Sequence, residues 1–445
     1  MLKFKKIQNP LIKGAFVISI GGLITKVLGA FYRIPLTNLL GAEGIGIYQM
    51  VFPLYSLLLT VSSTGVPSGI SKIIAEGEDA DSVLKTAVKT FGLLGVLGSL
   101  FMLIFSKNLA ILQGNIKAKY AYTLISPSVF LVSIISCFRG YFQGKANMKP
   151  TAFSQVLEQG VKLTFGLILV SVFRKNILIS SALAVLSVTL SELITVIYFI
   201  VYKRLKFPKI KILKNTKIST YSLIKRVLPI IFSTLILPLT KTIESFFVIN
   251  ILNEYLTNAT SLYGLYSGAV ESLVGLPVSL CYGLAITSIP VIASLKKSGE
   301  NYTIKSRQAV TITLSLSIVC GVGFYVFSPL AVKVLYSNLS SANKILLVNM
   351  LKLSSLSVIF LPLMQTLTAI LIGLGKARCS NFSCAVASIV KIILSIILLK
   401  MPTFNVFALL SSDIICYLLA CLLNLVYIIK DELPLKSGKL RSAYE

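Results

Sequence analysis

The chain has 445 residues, of which 55% are hydrophobic and only 13% charged, against about 25% charged in a soluble domain, which excludes a soluble globular protein. Its net charge of +28 sits in particular short loops between apolar runs, the placement of the positive-inside rule rather than of a nucleic-acid surface. Histidine is absent, which removes serine–histidine hydrolases, HExxH metalloproteases and imidazole metal sites, so no catalytic or metal-binding residue is expected and the chain is not read as an enzyme.

The opening MLKFKKIQNPLIKG is basic and leads into an apolar run. No short apolar region there ends in a small-residue cleavage site, so it reads as an uncleaved first span. Further spans are expected along the chain, giving twelve in all near 13–38, 46–72, 84–106, 119–142, 152–173, 179–202, 223–250, 264–294, 308–332, 345–373, 381–400 and 403–429. Each is long enough to cross a hydrocarbon layer of roughly 30 Å as a helix, and none alternates with the period of a membrane barrel. The expected fold is an all-α polytopic membrane protein. Cys137, Cys281, Cys320, Cys379, Cys384, Cys416 and Cys421 lie in or beside the spans without a CxxC pair and read as small buried residues.

Alternating the connections tests the count. One side collects 29 lysines and arginines and the other 8, with 6 left inside spans, so both termini are expected on the cytoplasmic side. The segment YKRLKFPKIKILKNTKISTYSLIKR is the longest polar connection before the tail and divides six spans from six. The expected organisation is an N-terminal six-helix repeat over 1–203, a basic cytoplasmic linker over 204–222, a C-terminal repeat over 223–430 and a cytoplasmic tail over 431–445. Gly144-Lys145-Ala146 after the fourth span answers Gly375-Lys376-Ala377 after the tenth, and FSQVLEQGVK (153–162) aligns with FSCAVASIVK (382–391). Two six-helix repeats of one orientation are therefore expected around a central cavity.

Charges inside spans are the candidate functional residues, since each costs about 2.5–3.5 kcal/mol unpaired at a helix centre. Lys26 and Arg33 stand seven residues apart on one face of the first span with Gly22 and Gly29, and that span has no acid. Lys26 is about 20 Å from the inner end, too deep to snorkel, and a stripe of glycine and fixed positive charge suits a cavity that receives an anion. Arg33 and Lys352 are nearer span ends, where snorkelling is the competing reading. Lys241 and Glu244 (i,i+3) and Glu271 are further cavity candidates. Glu158 and Lys162 (i,i+4) read as a neutral pair on one helix, with Glu192 on the next span as a second partner for Lys162. Lys391 and Asp413 fall at similar depth on adjacent spans, as a structural pair or as the element coupling transport to an ion or proton. Gly65, Pro67 and Gly69 (after Ser63 and Thr64) weaken the second span, and Gly275 and Pro277 the eighth, matching interruptions that point to a binding or gating region, against simple kinking for packing.

The run GAFVISIGGLITKVLGAFYRIPLTNLLGAEGIGIYQMVFPLYSLLLTVSSTGVPSGISKIIAE and the later FRGYFQGKANMKPTAFSQVLEQGVK resemble the stage V sporulation protein B family of polysaccharide-biosynthesis membrane proteins. That family lies in the multidrug, oligosaccharidyl-lipid and polysaccharide exporter superfamily, beside the lipid II flippases, and the resemblance implies a MATE-like arrangement of the two six-helix repeats. The resemblance is close over 14–76 and 138–162 and looser through the second half. It implies transport of an undecaprenyl-linked, anionic sugar precursor across a bacterial cytoplasmic membrane, with Lys26 and Arg33 matching the basic cavity residues that meet the pyrophosphate. Flippases of this type often carry fourteen spans, two more than expected here, and the extra pair bears on where the polyprenyl tail docks.

The nearest rival is a cation-coupled multidrug exporter of the same fold, which Glu244, Glu271 and Asp413 keep open. An intramembrane transferase would need a catalytic base or paired aspartates, which the chain lacks, and a non-transporting scaffold leaves the intramembrane charges without a task. No cofactor is expected; coupling to Na+, H+ or membrane potential stays open. The expected partners are the lipid-linked substrate and membrane lipids, and the expected state is a monomer.

Overall fold

The computed structural model describes residues 10–60, 65–206, 219–298 and 300–441, and its elements are helical throughout. Helix α1 (Pro10–Met50) carries Pro35 in its interior and turns at Gly41, where φ is 66°. Glycine adopts that value without the steric cost an L side chain meets, so the chain changes direction here between the first and second spans. The second expected span takes in the end of α1, a turn at Val51, α2 (Phe52–Thr60) and α3 (Val66–Ala75). Pro67 sits in the first turn of α3, where its missing N–H is not needed. Gly65 directly precedes α3, Gly69 lies within it, and Ser63 and Thr64 are outside the described residues.

The chain continues through α4 (Ala80–Ile104), α5 (Ser106–Leu112), a short 3-10 turn (Ile116–Ala118), α6 (Lys119–Gly144), α7 (Lys149–Val172), α8 (Ile177–Lys206), α9 (Thr220–Thr234), α10 (Ile236–Asn253) and α11 (Ala259–Gly264). A π-wound stretch, Leu265–Val270, leads into α12 (Glu271–Lys297), followed by α13 (Thr303–Leu335), α14 (Ser341–Gly373), α15 (Ala377–Leu399) and α16 (Phe407–Arg441). Among the described residues nine helices are long and apolar enough to cross a membrane, and the chain is a multi-pass membrane protein. The second, seventh and eighth expected spans are not among those nine; a turn at Val51 separates α1 from α2, and Leu235 separates α9 from α10. The eighth span corrects an expectation, because α12 is continuous through Gly275 and Pro277. Its irregular winding lies just before Glu271, where hydrogen bonds widen to i→i+5 without help from proline.

Two compact units emerge, Met1–Gly268 and Ala269–Glu445. This division falls later than the basic linker, because α9 packs on α3, α10 on α2 and α11 on α1. In the first unit α4, α6 and α8 pack in series around an aromatic centre, with Phe138 stacked on Phe199 at 5.6 Å and Phe142 on Phe199 at 5.7 Å. The opposite face of α4 presents Leu93, Leu97, Phe101 and Ile104 outward; apolar residues exposed at helical spacing suit hydrocarbon rather than water. Lys203 near the end of α8 clasps Asp81 of α4 at 2.7 Å. In the second unit α14 packs on α12, α13 and α16, and α15 on α16. Asp431 near the end of α16 receives Tyr302 Oη at 2.8 Å and Lys376 Nζ at 2.5 Å. The seven cysteines are free, four of them buried.

The tightest approach in the first unit is between α1 and α11. A methyl added at Gly46 would lie 2.1 Å from the Thr260 carbonyl oxygen, well inside contact distance. Gly46→Ala is expected to cost about 1–3 kcal/mol through overpacking, read as a lower unfolding midpoint of the detergent-solubilised protein. Gly323→Ala on α13, which meets nothing within 4 Å, is the control expected to leave the midpoint unchanged or slightly raised.

Candidate functional site

Helices α1 and α7 lie side by side in the same direction, with Gly21 against Ala152, Gly29 against Gln159 and Tyr32 against Gly166. Gly22, Lys26, Gly29 and Arg33 lie along one side of α1, where Gly29 faces Gln159 Oε1 of α7 at 3.8 Å and Gly22 has open space beside it. Lys26 is exposed on this unit and Arg33 half-buried, so neither cation is sealed in its core. Opposite them α7 carries Gln155, Glu158, Gln159 and Lys162 at i, i+3, i+4 and i+7, a polar stripe through an otherwise apolar helix.

The pairing within that stripe differs from the i,i+4 expectation. Glu158 accepts from Arg139 Nη2 of α6 at 3.0 Å, and Arg139 Nε donates to Ser154 Oγ at 3.2 Å. Arg139 lies inside α6, which runs on to Gly144, and its guanidinium outcompetes Lys162. Lys162 instead lies over the Tyr32 ring, 5.6 Å from the centroid, a cation–π contact. The Tyr32 hydroxyl reaches Ser187 Oγ at 3.3 Å and the Ala184 carbonyl at 3.4 Å on α8. Glu192, expected to answer Lys162, accepts from the Tyr55 hydroxyl.

Gln155 Oε1 and Gln159 Oε1 are buried and have no hydrogen-bond partner among the described residues. Buried amide oxygens rarely stay unsatisfied, so this face invites hydroxyl donors beside two cations. The reading of charges alone missed both glutamines, although their register with Glu158 and Lys162 was visible in FSQVLEQGVK.

In the second unit Lys391 Nζ of α15 lies 2.7 Å from Asp413 Oδ1 of α16, with side chains 4% and 9% exposed. Tyr417 Oη donates to the same carboxylate oxygen at 3.4 Å, and Ser395 and Ser412 meet at 2.7 Å along the seam. Lys391 is the repeat equivalent of Lys162, and the same offset puts Asp413 level with Ala184. One repeat therefore holds its lysine with a carboxylate and the other with the face of Tyr32. Lys352 on α14 lies over the Tyr325 ring at 5.7 Å, so packing rather than a free reach to the interface accounts for it. Of the other candidates, Lys241 is exposed and Glu244 buried on α10, and Glu271 is half-buried as the first residue of α12.

Residues 11–296 match the model of the polysaccharide biosynthesis protein family. The chain belongs to that family. It is 29% identical over 354 residues to stage V sporulation protein B of Bacillus subtilis, covering 75% of this chain and 68% of that one. To the lipid II flippase MurJ of the same organism it is 26% identical over 431 residues, covering 88% and 78%. Its fold is similar to an inward-facing multidrug-resistance MATE transporter of the MOP superfamily, with a TM-score of 0.78 over 93% of this chain and 96% of the other at 14% identity. The expected MATE-like all-helical fold is thereby shown.

Proposed function

We propose that this polysaccharide biosynthesis family member is a membrane transporter of the flippase type. It moves an undecaprenyl-linked, diphosphate-bearing sugar precursor of peptidoglycan or polysaccharide across a bacterial cytoplasmic membrane by alternating access, as a monomer with both termini cytoplasmic. The observation that carries this reading is the pairing of the α1 face holding Lys26 and Arg33 with the buried, unsatisfied oxygens of Gln155 and Gln159. Cations make charge-assisted contacts to a diphosphate, and amide oxygens accept from sugar hydroxyls. The names of the relatives agree in kind, one being a lipid II flippase and another a sporulation protein.

The drug-exporter alternative needs carboxylates open to a cationic compound. Of the three that keep it open, Asp413 is neutralised by Lys391 and Glu244 is buried, which leaves half-buried Glu271 and weighs toward an anionic cargo. Coupling to Na+, H+ or membrane potential is assigned, within this proposal, to Lys391 and Asp413, with Glu271 beside the π-wound stretch as part of the moving region.

Native mass spectrometry of the purified chain tests the cargo class directly, offering undecaprenyl diphosphate, lipid II and a cationic dye in turn. The expected result is retention of the lipid diphosphates and loss of the dye at equal concentration. Dye retained while both lipids are lost would overturn the flippase reading.

A further inference from the structure

A groove of about 440 Å³ opens between the starts of α6 and α8, on the side that the charge asymmetry assigns to the outside. Tyr120 and Leu124 form one wall, Ile179, Ala182 and Leu183 the other, and Asn176 stands at its mouth. The α8 wall is fixed at its start, where Asn176 Oδ1 accepts from the backbone N–H of Leu178 at 3.1 Å and Ile179 at 3.2 Å.

Charge says what such a slot receives. Lys117, Lys119, Arg174 and Lys175 flank the mouth in sequence, all exposed, and they are half of the 8 basic residues on that side of the membrane. Lys117 is held by Glu43 at 2.6 Å. Among the described residues no carboxylate lies within ion-pair distance of Lys119, Arg174 or Lys175. An apolar slot headed by cations, on a side otherwise poor in them, is complementary to a lipid with a hydrocarbon chain and a phosphate-bearing head. A single slot between two helices suits one chain rather than the two acyl chains of a phospholipid.

We infer that the α6–α8 groove docks the isoprenoid chain of a polyprenyl phosphate or diphosphate in the outer leaflet, with Lys119, Arg174 and Lys175 holding its phosphate. The inference rests on the flippase reading for the identity of that lipid. It gives the cargo a place to lodge its tail as the head group arrives.

The test uses the full chain in phosphatidylcholine nanodiscs with a photoreactive polyprenyl diphosphate. Labelling is expected in the peptides spanning 120–124 and 178–183, competed by undecaprenyl phosphate and not by phosphatidylglycerol at the same mole fraction. Arg174→Ala/Lys175→Ala, two exposed positions whose loss leaves the fold intact, is expected to weaken labelling about thirtyfold. Ala182→Trp, which fills the slot, is expected to remove it. Equal competition by phosphatidylglycerol, or labelling confined to other helices, would overturn the inference. A protein that flips polyprenyl diphosphate but carries no label in the groove overturns this inference alone, whereas one that neither flips nor takes up label overturns the flippase reading with it.

Discussion

Asp413→Asn is expected to destabilise the protein by about 3–5 kcal/mol, because it leaves the ammonium of Lys391 buried without its counter-charge. The measurement is the unfolding midpoint of the detergent-solubilised chain, followed by tryptophan-free probes such as cysteine accessibility, since the chain has seven free cysteines and no tryptophan. Lys391→Met/Asp413→Leu removes both charges and replaces them with apolar volume. A buried pair substituted in that way is often neutral or stabilising, so the midpoint is expected to return close to that of the parent chain. Transport separates the two roles. If the pair couples movement to an ion or proton, the stable double variant fails to flip lipid although it folds. Flipping retained by the double variant would reduce Lys391 and Asp413 to a clasp between α15 and α16.

Much of this architecture is legible in residue order, and the departures have physical causes. Apolar length alone marks the nine spans found among the described residues, because a helix must run about twenty residues to cross the hydrocarbon. Depth counting places Lys391 and Asp413 at one level on adjacent helices, and they lie 2.7 Å apart. The same counting fails for Glu158. An i,i+4 rule sees Lys162 on the same helix but not Arg139 on a neighbouring one. Gly275 and Pro277 are the residues that mark a break in the eighth span by composition, yet α12 runs through both. A π-turn needs neither residue, so LYSGAV gave no warning. Gln155 and Gln159 escaped because they carry no charge, yet their buried oxygens are what make the face of α7 more than packing.

The stripe on α1 invites the second large effect. Each hydrogen bond to a charged group contributes about 1.5–3 kcal/mol, so Lys26→Ala/Arg33→Ala removes about 3–6 kcal/mol of cargo binding, a factor of about 10² to 10⁴ in Kd. Lys26 is exposed, which places its share toward the lower end because water and salt screen it; Arg33, half-buried, contributes the larger part. Arg33→Lys keeps the charge but loses the planar fork that meets two phosphate oxygens at once, and is expected to fall between the parent and the double variant. Affinity for undecaprenyl diphosphate in the parent chain should drop as salt rises, and the double variant should show a flatter salt dependence. Unfolding midpoints should stay level across the set, since neither side chain is sealed in the core of its unit. Equal affinity in the parent and the double variant, with the salt dependence unchanged, would mean that the diphosphate is held elsewhere and that Lys26 and Arg33 serve the helix rather than the cargo.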